Sequence, residues 1–379
     1  MHVKKYIFYI VIIIFLVSCD QFNSKLSQYG ITSTKITHPT SENYISEGYI
    51  NSIINEELID SSNAISTDSS SLQIGVNEGD ENYMFGNIHS VSVIDNNALM
   101  IFDDQKVSVK AFNLNNGQFI KSFLFAGGGP GEIMHPAGMA TYGNTVILAD
   151  RMNKLEVFED TGNLNFESQT VLLDFTPKDI CVINDRLYIS GVHMNNFKTV
   201  HSYEIDSFTR DVQFHDAYKS ETPSVRYLLS DISIACNNAS EILIVVSQHL
   251  PYIYGYDKMG ELKWVSEIDN FTPREVFQTV DELGRPRISR SIRSDGTTDI
   301  YSNLISSKSD RKVFLQMHRL VRSPGRENKG EVLTFEINSS TGEGALISED
   351  LSFIRYIDND FLMIRERLSF PRLKILNMN

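Results

Sequence analysis

Six times along this chain, a short apolar run, a polar break carrying Asp or Asn, a second apolar run and a Gly or Asn turn follow one another. The clearest copies are NALMIFDDQKVSVKAFNLNNG (97–117) and NTVILADRMNKLEVFEDTG (144–162). Looser ones occupy 185–207, 240–260, 310–342 and 359–377. Inside the runs the side chains alternate at period two, so each run reads as a strand with two distinguishable faces. No long amphipathic helix interrupts them from residue 72 onward. A lone sheet of this size buries neither face well, so the fold has to give each copy a neighbour on both sides.

The equivalent aromatics Phe112, Phe158, Tyr203 and Tyr256 recur about one blade apart, and strand-built repeats of roughly 40 to 50 residues are the mark of propeller blades. The step from Tyr256 to Phe335 is longer, with an insertion at FTPREVFQTVDELGRPRISRSIRSDG (271–296). The expected fold is all-β, a six-bladed β-propeller, with seven blades the alternative if the insertion hides one. A β-sandwich would space its strands evenly but would not repeat a two-run motif with an aromatic in one place.

The stretch FLFAGGGPGEIMHP (123–136) could be a phosphate cradle or a joint. A P-loop needs Gly-x-x-x-x-Gly-Lys-Ser/Thr, whereas Gly131 is followed by Glu132, whose charge repels phosphate. The Gly-x-G-x-x-G spacing also fails, since the sixth position from Gly127 is Glu132. The structural reading is a tight crossing that uses positive φ at glycine, with Pro130 pinning the turn. From Phe125 the chain resembles the NHL-type propeller repeat at Gly131, Pro136, Gly138, Met139, Ala140, Ile147, Ala149, Asp150, Asn153, Leu155, Val157, Phe158 and Gly162. It also looks like the Gly-Pro-Gly-Glu loop of six-bladed, TolB-like propeller lipoproteins of Bacteroidetes. The specific match covers 125–162; the other blades lack the Gly-Pro pair. That resemblance implies a loop joining the outer strand of one blade to the inner strand of the next.

The N-terminus sets an expected address. MHVKKYIFYIVIIIFLVSC has a basic head and an apolar stretch too short for a comfortable span, the pattern of an export signal. Leu16-Val17-Ser18-Cys19 resembles the lipobox of bacterial lipoproteins, which implies cleavage before Cys19 and a diacylglycerol on its thiol. The expected organisation is a signal peptide at 1–18, Cys19 and a flexible polar tether to residue 45, and the propeller over 46–379. The protein would then be a lipoprotein of the cell envelope, held to the outer membrane by acyl chains and facing the periplasm or the surface. Net charge is −14, and loss of Lys4 and Lys5 with the leader makes it two units more negative. Nucleic acid is excluded as a partner, because phosphate binding needs clustered Lys and Arg. Cys181 and Cys236 lie in apolar strand-like contexts. Two buried free thiols and one disulfide both fit an exported chain.

No catalytic or metal signature stands in the sequence: no His-Glu-x-x-His, no paired cysteines for zinc, no EF-hand loop and no Gly-x-Ser-x-Gly. Propeller topology nevertheless says where a site would lie. Loops feeding the inner strands supply His135, Lys178, Arg226 and Tyr301. Loops between second and third strands supply Arg151, Asn153, His193, His249 and Arg365. Of these, His135, Arg151, Asn153, Lys178, Arg226, Tyr301 and Arg365 are the candidate ligand-binding residues. Their cations would make a locally basic mouth on an acidic protein, suited to a small anionic or sugar-acid ligand, a glycan or an acidic patch of an envelope partner. The expected function is a non-enzymatic binding module that needs no cofactor. The alternative is a metal-dependent lactonase, hydrolase or lyase with a divalent cation in the channel, drawing on Asp103, Asp150, Asn153, Asp179 and Asp299. The basic run RPRISRSIRSDG (285–296), with Arg285, Arg287, Arg290 and Arg293, reads either as an exposed hairpin or as a cap over the mouth.

Overall fold

The computed structural model describes residues 34–36, 50–53, 71–94, 98–220, 223–280, 286–291, 296–322, 329–349, 351–366 and 370–378. The expected leader, Cys19, most of the tether, and Arg285 and Arg293 lie outside the described residues. The repeats form six antiparallel sheets whose strands pair in chain order. Their inner strands are Ile88–Ile94, Pro136–Tyr142, Asp179–Ile183, Ile232–Asn237, Gly296–Ser306 and Phe353–Ile357, defining blades 1 to 6. Each inner strand touches the inner strands of both neighbours, so the sheets close into a ring around a channel. The fold is the six-bladed β-propeller expected from the repeats.

Why the ring holds is visible in its core. The buried apolar side chains fall into six clusters, one for each pair of neighbouring blades. Between blades 2 and 3, for example, Ile147, Leu155 and Val157 meet Ile180, Leu187 and Tyr203. Period-two strands give each blade two apolar faces, and only a neighbour on each side removes both from water. The ring is shut by the chain's own N-terminal part. Ser71–Ile74 pairs with Arg372–Asn377 and becomes the outer strand of blade 6.

The 271–296 insertion is not a seventh blade. Glu275–Val280 and Pro286–Ser291 form a hairpin outside the ring, and Thr34–Ile36, within the expected tether, adds to its edge. A second N-terminal segment, Ile50–Ile53, runs parallel along the outer strand of blade 4. The one α-helix among the described residues, α1 (Pro223–Leu229), lies in the connection from blade 3 to blade 4.

The glycine loop is a joint, as its composition indicates. Gly131 sits at φ +75° and its N–H donates to Glu156 (2.9 Å), while Gly129 N–H donates to Glu132 (2.8 Å). The buried Lys154 ammonium donates to the carbonyls of Gly129 and Glu132 and to Glu156. Asp150 accepts from the amides of Met134, His135 and Met152, and Asp103 plays the same part for Gly86 and Asn87 in the preceding blade.

Candidate functional site

The channel is a cavity of about 810 Å³ walled by the six inner strands. Its lining is shaped by a repeated irregularity. In four inner strands the pairing register skips one residue, and the skipped residues are His89, Ala137, Ser302 and Arg355. All four line the channel. A bulge leaves one residue unpaired and re-aims its side chain. Four bulges at corresponding places make a ring of displaced residues inside the channel.

Arg355 is the most elaborately held of them. Its Nη1 donates to Asn303 Oδ1 at 2.8 Å. Asn303 is fixed in turn, donating to the Ile354 carbonyl (2.6 Å) and to Gln316 Oε1 (3.0 Å). Gln316 is fully buried, donates to Thr334 and to the Ser352 carbonyl, and accepts from Ile354 N–H. The guanidinium Nε is buried without a partner. Burial, reinforced by the nearby Arg365 charge, pulls the Arg355 pKa down to about 10.

Other charges gather around it. Lys308 lines the channel two residues along from Arg355's level, its amide bonded to the Ile357 carbonyl, and burial lowers the pKa of its amine. Burial lowers the His89 pKa, and the Arg355 and Arg151 charges add to that against Asp104, so the ring stays neutral near pH 7. Among the described residues, Arg151, Lys308, Arg355 and Arg365 have no ion pair with a carboxylate. On the opposite wall, Asp179 accepts from the amides of Ile234 and Ile180, and burial raises its carboxyl to about 7.

The residues expected from the sequence separate by place. Arg151 and Lys178 line the channel. Lys178 lies 3.7 Å from Asp231 and over the Tyr227 ring. Arg365, at the end of the second strand of blade 6, stands beside Arg355. His135 is exposed on the loop before blade 2. Asn153 holds a turn at φ +62° and accepts from Thr176 (2.8 Å). Arg226, on α1, bonds the Ser220 carbonyl, stacks 4.1 Å over Phe197 and lines a second cavity of about 490 Å³. Tyr301 packs against Phe271 and donates to the Leu250 carbonyl, which turns it away from the channel. His193 is tied to Asp174, and His249 is buried.

Sequence reasoning passed over His89, Ser302, Lys308 and Arg355. The one available signal was Arg355 itself, a cation within the apolar alternation FIRYI. Of the five carboxylates and amides named for chemistry, Asp179 alone lines the channel, and all five are engaged. Asp103 and Asp150 cap loops, Asn153 holds a turn, Asp299 is bound by Arg319 and the Thr272 amide, and Asp179 by two amides. Among the described residues, no three His, Cys, Asp or Glu side chains come together as metal ligands would.

The comparisons agree with this architecture. A family model described as a 6-bladed beta-propeller, DUF5128, matches residues 76–273, more than half of the chain. A Bacteroides fragilis protein, described as exported by inference, superposes with a TM-score of 0.57 at 12% identity, covering 87% of this chain and 99% of its own. A DUF4221 member from Bacteroides vulgatus superposes with a TM-score of 0.55 at 10% identity, covering 81% and 96%. At such identities the likeness is one of fold. No curated protein matches the sequence.

Proposed function

This chain belongs to the DUF5128 family of six-bladed β-propellers, and from that premise we propose that it is a binding module of the bacterial cell envelope whose channel takes a small anionic ligand. The observation that carries the reading is Arg355: a guanidinium displaced into the channel by a bulge, oriented by Asn303 and Gln316, and left without a carboxylate. A protein of net charge −14 has carboxylates to spare, so Arg151, Lys308 and Arg355 in the channel lining, with Arg365 beside them, none in an ion pair among the described residues, mark a place kept for an outside anion. The hydroxyl and amide groups of Ser302, Ser233 and Gln248 in the same channel lining suit a ligand that also carries hydroxyls, as a sugar acid does. A preformed donor set binds without the cost of ordering it.

The envelope address rests on the export leader and the lipobox-like Cys19, which would carry diacylglycerol and hold the domain to the outer membrane. Two further observations support it. Cys181 and Cys236 form a disulfide, the chemistry of an oxidising compartment. The Bacteroides fragilis fold neighbour is described as exported by inference. Of the carboxylates that the lactonase, hydrolase or lyase alternative would draw on, Asp103 and Asp150 are bound into loops and Asp299 is held by Arg319, which leaves Asp179 alone in the channel lining.

Calorimetric titration of the chain with hexuronates, simple dicarboxylates and neutral hexoses tests the binding reading. A hexuronate should bind and the hexoses should not. Arg355→Gln should weaken binding by about tenfold or more, the worth of one charge-assisted hydrogen bond. Equal affinity in the variant, or no binding of any anion, would sink the proposal.

A further inference from the structure

Propeller connectivity sorts the loops between two faces. The connections between blades and those between second and third strands share a front face; the remaining turns share the back. Twelve large apolar side chains are left exposed among the described residues, and eight of them belong to the front. The two most exposed, Leu172 at 81% and Phe125 at 72%, are among the eight.

Backbone pairing brings four of them, Phe125, Met134, Met152 and Leu172, to the front of blade 2. The amides of Met134 and Met152 both donate to Asp150. Leu172 pairs with Lys154, and the next residue bonds Asn153, beside Met152. Phe125 pairs with Glu132 two residues before Met134. Met194 continues the patch on blade 3, and Tyr227 continues it on α1, where Lys178 lies over its ring. Exposed Arg151 stands among them. Flexible methionines and aromatics interleaved with cations make a surface that enters a lipid interface, where apolar groups sink and cations meet phosphate.

Charge points the same way. The back face carries Asp185, Asp206, Glu241, Asp358 and Asp360 on its turns. The front face has its own acids: Glu78, Asp80 and Glu81 gather at blade 1, and on the blade 2 to blade 4 side Asp174, Asp216 and Asp231 are each paired with a cation, Arg210, Lys198 and Lys178. An anionic bilayer therefore repels the back and accepts the blade 2 to blade 4 side of the front.

The N-terminal path gives the second line. The first described segment after Cys19, Thr34–Ile36, pairs with the hairpin that connects blade 4 to blade 5, and that hairpin contacts α1. The hairpin is a connection between blades and so belongs to the front face. From Cys19 to Thr34 the chain reaches at most about 50 Å when fully extended.

We propose that the front face, at blades 2 to 4 and α1, is the membrane-apposed face of the protein and lies on an anionic phospholipid surface. This rests on the reading of Cys19 as the anchor for its orientation, while the patch and its charge stand without it. The mouth of the channel then opens toward the lipid, and the acidic back face toward the aqueous side.

The test uses the full chain in vesicles of phosphatidylcholine and phosphatidylglycerol, with brominated acyl chains as fluorescence quenchers. The single native tryptophan, Trp264, is 4% exposed and gives a constant background. Leu172→Trp on the front should be quenched at least about twofold more than Met259→Trp on the back, and high salt should reduce the difference. Equal quenching of the two, or stronger quenching of Met259→Trp, overturns the proposal. The mass of the N-terminal peptide judges the anchor separately. If Cys19 is unacylated the anchor reading falls, and quenching of Leu172→Trp in added anionic vesicles still decides the face. Quenching that is the same in purely zwitterionic vesicles overturns the anionic part.

Discussion

At the scale of the residue, Trp264 shows how little slack the blade interfaces hold. Its indole N–H donates to the Ser339 carbonyl (2.9 Å) while the ring lies in the core between blades 4 and 5. Two glycines make room for it. A Cβ on Gly255 would stand 2.1 Å from the indole, and one on Gly342, at φ +78°, would stand 2.4 Å from it. Neither contact can be relieved by a flexible side-chain end, because the obstacle is a fused ring already fixed by its hydrogen bond. Gly255→Ala should therefore cost about 1–3 kcal/mol, as overpacking of a filled core does. A denaturant midpoint lowered at unchanged slope would show it; a shift near zero would mean that the indole has somewhere else to go.

At the scale of the element, the inner strands do two things that shape the channel. They bulge, and they cross-link. Cys181 and Cys236 sit on the inner strands of blades 3 and 4, 55 residues apart in sequence, with Cα atoms 5.5 Å from each other. That separation lies within the ordinary disulfide range, so equivalent positions on neighbouring blades suffice to form the bond. Both cysteines line the channel. Replacing the pair by serines should lower stability by about 2–4 kcal/mol, mostly through the freedom restored to the unfolded chain. Because the blade 3–4 cluster remains, the variant should still fold with native near-ultraviolet dichroism. Loss of that signal at ambient temperature would show that the bond is needed to form the ring.

At the scale of the whole molecule, the pH response of stability is set by buried groups of blade 3. Burial lowers His201 and His215 to about 4, and it raises Asp179 to about 7. The histidines bind protons in the unfolded chain at a pH where the folded chain refuses them. Their contribution is complete above about 6.5 and lost as pH falls toward 4, on the order of 3 kcal/mol each. Asp179 acts in the opposite sense, favouring the folded state at low pH and losing that advantage as pH rises through 7. Between pH 6.5 and 4, two protons oppose one, so stability should fall by about 1.4 kcal/mol per pH unit from these groups. Asp179→Asn removes the opposing proton and should steepen the decline. Chemical denaturation at a series of pH values reads both slopes, and equal slopes in the two proteins would contradict the assignment of Asp179.

The sequence by itself determined the fold, because its information is local: period-two alternation, turn residues and an aromatic returning once per blade. Phe112, Phe158, Tyr203 and Tyr256 were legible as equivalent before any contact was known, and all four are buried at blade interfaces. The glycine loop was legible for the same reason, since Gly131's positive φ and the failed phosphate motif both lie within one short segment. Only the tertiary structure decided the site. Whether a side chain on an inner strand faces the channel depends on register, and one extra residue moves it to the other face. Arg355 and His89 reach the channel through such bulges, while Tyr301, one residue before a bulge, is turned toward Phe271. The choice between free thiols and a disulfide, and the outer strand that closes blade 6, were likewise settled by distances between segments far apart in the chain.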